Sequence, residues 1–306
     1  MNHAPAQAIP TGDVTRASAV RSAPSATIER MSRTTRLGAA AAGIAAAVAL
    51  SACSTAVGGQ PVATQSATVA TSSSPEAQQP IRWVDVEAEA PQLDKDLEGL
   101  QYGTLPVPGL GYGYRNAEHR SKVCSLGPAV RDASGRSGFL TAGHCISGKV
   151  TTPAYLQGGR DTNTAPQVLL GDVEQAEDDD ATVDSAIIWA PVSDAATKIA
   201  GKWPVAGIMA AADVPSLVKP GDPVCLNGAR SGVICSPLVS ADGGTIRTQA
   251  VAQDGDSGAP VYVVAPSGSA ILIGVHSAAE SGQDVATFIS PALDRLRVTV
   301  ALGTSQ

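Results

Sequence analysis

From about Lys122 onward the chain is a succession of short apolar runs separated by Gly, Pro, Asp and Ser. Phe139-Leu140, Val168 to Leu170, Ala186 to Trp189, Ile246 to Val251, Pro260 to Val264, Ala270 to Val275 and Ala286 to Ile289 all read as strands. That cadence constrains the fold more than any other feature. It predicts an all-β barrel or sandwich made of short strands rather than long amphipathic helices. The 31 glycines and 21 prolines suit the turns, and with aromatics at 3% the strands draw on Val, Ala and Thr. The end of the chain differs. In "SPALDRLRVTVAL" (290–302) Ser290 is placed to cap a helix, Pro291 to occupy its first position, and the apolar spacing predicts one terminal helix packed on the β-structure.

The N-terminal part is a targeting region by composition. "MSRTTR" (31–36) is basic, and "LGAAAAGIAAAVAL" (37–50) carries no charge. The latter is short for a membrane span and suits a signal-peptide core. It ends in "LSAC" (50–53), which resembles a bacterial lipobox, so residues 1–52 are expected to be leader and lipoprotein signal peptide, with lipid attached to Cys53. The competing reading is an ordinary exported protein cut near Ala52. Residues 1–30 are then a long leader or an upstream start that is not used. Residues 53–80, rich in Ser, Thr, Ala, Gln, Pro and Gly, cannot bury enough surface to fold, and read as a disordered tether. Residues 81–119 read as a lead-in: bulky residues at Ile81 to Trp83, a charged stretch to Leu100 with room for a short helix, and an irregular Gly/Tyr segment from Tyr102 to Tyr114. The expected location is outside the cytoplasm, at the membrane through Cys53 or secreted.

Five cysteines in an exported chain leave one to explain. If Cys53 takes lipid, then Cys124, Cys145, Cys225 and Cys235 remain, and in an oxidising compartment they suggest two disulfides. Three pairings are open. The local one, Cys124 with Cys145 and Cys225 with Cys235, is the simplest. A net charge of −7 with no Lys/Arg cluster argues against nucleic acid as a partner.

Two stretches carry candidate chemistry. In "DGDSGAP" (254–260) Ser257 sits in a glycine-flanked turn just before a strand, where Gly255 can leave its N–H aimed at a ligand. A Gly-rich β-turn is the plain alternative. A serine hydroxyl needs a base, and His119, His144 and His276 are the candidates beyond the leader. The base needs an acid behind it. "VDSAIIW" (183–189) offers Asp184 at the start of an apolar strand, where an unpaired carboxylate would be costly.

Taken together, "TAGHC" (141–145), "DSAII" (184–188) and "GDSGAP" (255–260), in the order His, Asp, Ser, resemble the chymotrypsin-like serine peptidases. Within them the chain is similar to the bacterial branch of streptogrisins and α-lytic protease. "CSLGPAVRDASGRSGFLTAGHC" (124–145) and "CLNGARSGVIC" (225–235) are similar to the two bridged segments of those enzymes. The resemblance covers roughly residues 120–303. It implies a peptidase domain at 120–306 of two six-stranded antiparallel β-barrels, about 120–200 and 201–306, with a C-terminal helix. It implies His144 as general base, Asp184 as its orienting acid, Ser257 as nucleophile, and the N–H groups of Gly255 and Ser257 as oxyanion hole. The implied disulfides are Cys124–Cys145, which pins the histidine loop, and Cys225–Cys235. The implied substrate pocket is Val251, Ala252, His276, Ser277, Ala278 and Ala279, with Ser277 also touching Asp184. The expected partner is a peptide or protein substrate, acting on a monomer with no cofactor and no metal. The acidic run 172–180 reads as a solvated loop rather than a calcium site.

The chain departs from the family in three places. The nucleophile loop lacks a third disulfide: Gln253 and Asp254 stand where a cysteine is usual. Asp256 should be buried and need a cation. The arginine that streptogrisin-like relatives place after the first cysteine of the second bridged hairpin is Leu226 here, and no "IVGG" start is visible, so Arg230 is the candidate partner. Val251 replaces the pocket aspartate of trypsin-like enzymes, which predicts no cleavage after Lys or Arg. His276 in "GVHS" resembles residues that accept Glu or Gln, while Asp254 near the rim would repel glutamate, so a neutral or small side chain is expected. The rival to an active peptidase is a weak or inactive protease-like binding module at the cell surface. A nucleophile-elbow hydrolase is excluded by the order of the motifs and by Ala259, and a zinc module by the wide cysteine spacing.

Overall fold

The protein is described by a computed structural model covering residues 81–91, 101–115, 121–146, 152–159, 164, 166–178 and 182–304. The leader, Cys53, the tether, His119, and Asp179 and Asp180 of the acidic run lie outside the described residues.

The first sheet contains β1 (Gly111–Arg115), β2 (Ser121–Ser125), β3 (Ala129–Asp132), β4 (Ser137–Thr141), β5 (Thr152–Gln157), β6 (Gln167–Glu177) and β7 (Ser185–Trp189). The second contains β8 (Lys198–Ile199), β9 (Trp203–Ile208), β10 (Pro223–Gly228), β11 (Gly232–Asp242), β12 (Thr245–Gln249), β13 (Pro260–Val264), β14 (Ala270–Glu280) and β15 (Gln283–Phe288). A one-turn helix α1 (Val214–Leu217) and a terminal helix α2 (Ile289–Leu296) complete it, before a last strand β16 (Val298–Val300). In the second sheet β13–β10–β11–β12–β15–β14 closes on itself through the β13–β14 pair, a six-stranded antiparallel barrel. The first runs β16–β3–β4–β7–β6–β5–β1–β2 as eight hydrogen-bonded strands. The all-β expectation holds, and the alternation of inward apolar residues explains it. Tyr112, Leu126, Phe139, Leu156 and Ile188 fill the core of the first sheet. Leu140 and Ile187 from that sheet join Tyr262, Leu272 and Val275 from the second in another core cluster.

Three local expectations need correction. Residues 111–115 are strand β1 rather than irregular: Tyr112 is buried, and β1 pairs with both β2 and β5. Alternating Gly and Tyr hid it, because Gly lowers strand propensity while supplying the flat face. Helix α2 starts one residue before Ser290, whose hydroxyl accepts the N–H of Ala211 instead of capping. The helix also ends early. Arg297 takes a left-handed conformation, and the β-branched "VTV" then pairs with β3. Within α2, Ile289, Ala292, Leu293 and Leu296 form the buried face, at the expected helical spacing.

Candidate active site

His144 sits in a single 3-10 turn (Gly143–Cys145) just after β4. Cys145 is bonded to Cys124 at the end of β2, so the turn is stapled to the neighbouring strand. Asp184 precedes β7 and is 1% exposed. It grips the histidine twice: Oδ1 accepts the His144 backbone N–H at 2.8 Å, and Oδ2 meets Nδ1 at 2.7 Å. Ser277 Oγ donates to the same Oδ2, as the resemblance implied. Burial alone would lower the His144 pKa. The hydrogen bond and charge of Asp184, helped by the charge of Asp178, outweigh burial and hold it above 6.5. Burial likewise opposes ionisation of Asp184, but the His144 ring, the Ser277 hydroxyl and the His144 N–H together keep its pKa below 3.8. Arg295 of α2 steadies the strand that follows, donating to the Ser185 carbonyl at 2.6 Å and to the Gln175 carbonyl at 2.8 Å.

Ser257 lies in the turn before β13. Gly258 (φ +90°) is required there, because a Cβ would fall 2.3 Å from Thr141 Oγ1 and 2.6 Å from the Ser125 carbonyl. The Ser257 hydroxyl is 3.5 Å from the Ser277 carbonyl, which accepts its hydrogen bond; it makes none to His144. Ser277 therefore joins the two halves, through its hydroxyl to Asp184 and through its carbonyl to Ser257. Cys145 Sγ lies 3.9 Å from the Ser257 carbonyl oxygen. The backbone N–H groups of Gly255 and Ser257 donate to no carbonyl among the described residues.

The missing third disulfide is offset by polar bonds. Ser125, fully buried beside Cys124, donates its N–H to the Ser257 carbonyl at 2.8 Å and its hydroxyl to the Gly255 carbonyl at 2.9 Å. The same hydroxyl accepts the Ala229 N–H at 2.8 Å. Thr141 in turn donates to the Ser125 carbonyl and contacts Tyr112.

Asp256 is buried, at 0% exposure, but the expected Arg230 ion pair is not its solution. Its Oδ1 accepts the backbone N–H groups of Arg230 at 2.7 Å and Ser231 at 3.1 Å, and Oδ2 accepts the Ser231 hydroxyl at 2.6 Å and the Gln253 N–H at 2.8 Å. No ion pair involves Asp256 among the described residues. Four neutral donors stabilise the carboxylate instead. Gly228 makes room: a Cβ there would lie 2.2 Å from Asp256 Oδ1. The Arg230 side chain lies across Gly255.

Of the predicted pocket, Val251 and His276 line a small cavity of the second barrel, about 10 Å³. Ala252, Ser277, Ala278 and Ala279 do not line it. Ser277 is buried and Ala279 exposed. Burial lowers the pKa of His276, opposed by the charges of Asp284 and Asp256. Cys225 and Cys235 face each other across β10 and β11 and are bonded. Cys124, His144 and Cys145 come close together, yet both sulfurs are used in the disulfide and cannot act as thiolate ligands. The acidic run is not a loop through Glu177 but the end of strand β6, and its Glu174 and Glu177 are ion-paired with Arg136 and Arg295. Sequence reasoning missed Ser125, Ser231, Arg295 and Asp284. Only Asp284 left a local trace, as a carboxylate inside the strand "QDVATF".

No family model matches the chain, and no curated protein does. Its trace is similar to solved serine proteases at low identity. Thermobifida fusca protease A is 23% identical, with 65% of this chain and 100% of that chain covered at a TM-score of 0.45. Nocardiopsis protease is 22% identical, covering 65% and 98% at 0.43. A glutamic-acid-specific serine protease that uses a histidine triad in substrate binding is 20% identical, covering 64% and 100% at 0.46.

Proposed function

We propose that this protein is an exported serine endopeptidase, held at the membrane by lipid on Cys53, that cleaves peptide bonds through Ser257, His144 and Asp184. The reading rests chiefly on the double grip of Asp184 on His144, with Ser277 linking that pair to Ser257. A carboxylate on Nδ1 fixes that nitrogen as the N–H, which leaves the Nε2 lone pair to act as base. Ser257 Oγ attacks the peptide carbonyl as His144 takes its proton. The tetrahedral oxyanion is received by the N–H groups of Gly255 and Ser257, each free of a carbonyl partner among the described residues. His144 then gives the proton to the leaving amine as the C–N bond breaks. Water, deprotonated by the same histidine, releases the acyl group from Ser257. The hydrogen bond of Ser257 to the Ser277 carbonyl must be exchanged for one to His144, a side-chain rotation of the kind that accompanies substrate binding.

The test is labelling by a fluorophosphonate probe, beside Ser257→Ala. Labelling that disappears in the variant, with its melting unchanged, supports the reading. A folded protein that takes no label would overturn it in favour of a binding module. Lipid on Cys53 is checked separately, by detergent phase partition of the parent chain and Cys53→Ala.

A further inference from the structure

The lead-in is bound to the hairpin that cradles the serine turn. Two parts of it dock on the second barrel. In the first, Trp83 is buried and donates its indole N–H to the Leu217 carbonyl at 2.9 Å, while the Val84 N–H donates to the Val264 carbonyl at 2.9 Å. Val86 is buried in the core cluster shared by the two sheets, and Glu87 accepts the Cys235 N–H of β11 at 3.0 Å. The second part meets the tip of the same β10–β11 hairpin. Gln101 donates its backbone N–H to the Ala229 carbonyl at 2.7 Å. Its side-chain amide donates to the Gly228 carbonyl at 2.6 Å and to Asn227 Oδ1 at 3.1 Å. Asn227, also buried, donates its own amide to the Pro108 carbonyl at 3.0 Å. Gly109 (φ +95°) leaves the room for this, since a Cβ there would run into the Asn227 amide.

The hairpin tip is what holds the serine turn, and the peptide units that do so are the ones Gln101 grips. The Ala229 carbonyl and the Arg230 N–H belong to one peptide unit. Gln101 holds the carbonyl, and Asp256 Oδ1 holds the N–H. The Gly228 carbonyl and the Ala229 N–H belong to the unit before it. Gln101 again holds the carbonyl, and the N–H is accepted by Ser125 Oγ, which donates to the Gly255 carbonyl. A trans peptide unit is planar with its C=O and N–H pointing opposite ways, so fixing one end aims the other. Two consecutive units therefore carry the position of Gln101 to both anchors of the turn, Asp256 and Gly255. Asn227, Gly228 and Ala229 are all buried, where an acceptor stripped of its donor is costly. Removing the Gln101 amide thus favours rearrangement of the tip.

We propose that Gln101 is a positioning residue for the oxyanion-binding N–H groups of Gly255 and Ser257, and that Trp83 to Leu110 are a permanent part of the working domain rather than a segment shed on activation. The chemistry assigned to those N–H groups rests on the peptidase reading; the contacts of Gln101 do not. Gln101 is internal to the chain and donates only neutral N–H groups, so the serine turn is braced with neither a freed chain end nor a cation.

Three measurements test it. In Gln101→Ala, the rate of fluorophosphonate labelling should fall at least about tenfold, because the oxyanion donors are displaced. The midpoint of its pH series should equal the parent's, because His144 and Asp184 are untouched. An unchanged rate, or a fall with a displaced midpoint, would overturn the proposal. Hydrogen exchange of the same variant needs no activity. Amides of residues 228–231 and 253–257 should exchange at least about tenfold faster than in the parent, and those of 141–146 should not change. Equal exchange throughout, or acceleration spread over both turns, overturns it. A parent chain that takes no label, while exchange responds as expected, would remove the peptidase reading and sustain the placing of the serine turn by Gln101. The third measurement uses the parent chain alone. The intact mass of the labelled protein should include Trp83 to Leu110, and a labelled chain that begins after Gln101 overturns the proposal.

Discussion

Two loops meet at the candidate site, and they are held in different ways. The histidine turn is stapled covalently, Cys145 to Cys124, and His144 is gripped by a carboxylate through both ring and backbone. The serine turn has no disulfide. It is held by Ser125 from the first sheet and by Asp256, whose donors are all uncharged groups. A disulfide acts mainly by restricting the unfolded chain. A hydrogen-bond set acts only once every partner is in place, so it rises and falls with the folded state. The two buried aspartates divide similarly. Asp184 is paired with a group that titrates, whereas the donors around Asp256 keep their protons across ordinary pH.

Breaking the titrating side should have the largest effect. Asp184→Asn is expected to lower turnover about 10⁴-fold with the fold retained, since an amide no longer fixes the His144 tautomer. The sign of the pH dependence follows from the same pair. His144 must be neutral to accept a proton, and Asp184 holds its pKa above 6.5, so activity should be lost in acid and recover through a midpoint above pH 6.5. In the variant that midpoint should move down, which a pH series of kcat/KM would detect. Removing the staple comes next. Cys124→Ala with Cys145→Ala should cost about 3 kcal/mol of stability in denaturant unfolding, and reductant, which also opens Cys225–Cys235, should cost the parent chain at least as much. The smallest effect is expected on the serine side. Ser125→Ala deletes one hydroxyl with two partners, worth about 1–3 kcal/mol. That loss should be insensitive to reductant and should slow acylation of Ser257. A reductant-sensitive loss would mean that the two loops are tied as one unit.

What could be read from the sequence follows chain proximity. Strands announce themselves by local alternation, and the His, Asp and Ser motifs are each contained in a few residues. The pairing of His144 with Asp184 and the contact of Ser277 with Asp184 were anticipated and are present. Ser125 was invisible because its partner Gly255 is 130 residues away and a serine beside a cysteine carries no signature. Asp256 was rightly expected to be buried, but its partners were sought among cations, when backbone N–H groups leave no trace in a sequence. Strand β1 was missed for a local reason, its alternating glycines, and Asp284 because its docking on Val251 and Ala252 joins segments distant in the chain.

The last strand has a consequence for how the molecule comes to exist. Strand β16 belongs to the first sheet but is made after the whole of the second, and Thr299 lies 168 residues from its partner Arg131. The first sheet therefore is not complete when the second begins to emerge; its edge at β3 waits for β16. Such long-range closure slows folding and leaves a strand edge open in the interim. The two halves are made in order but completed together, so a chain truncated before Val298 would leave the edge of β3 in the first sheet unpaired.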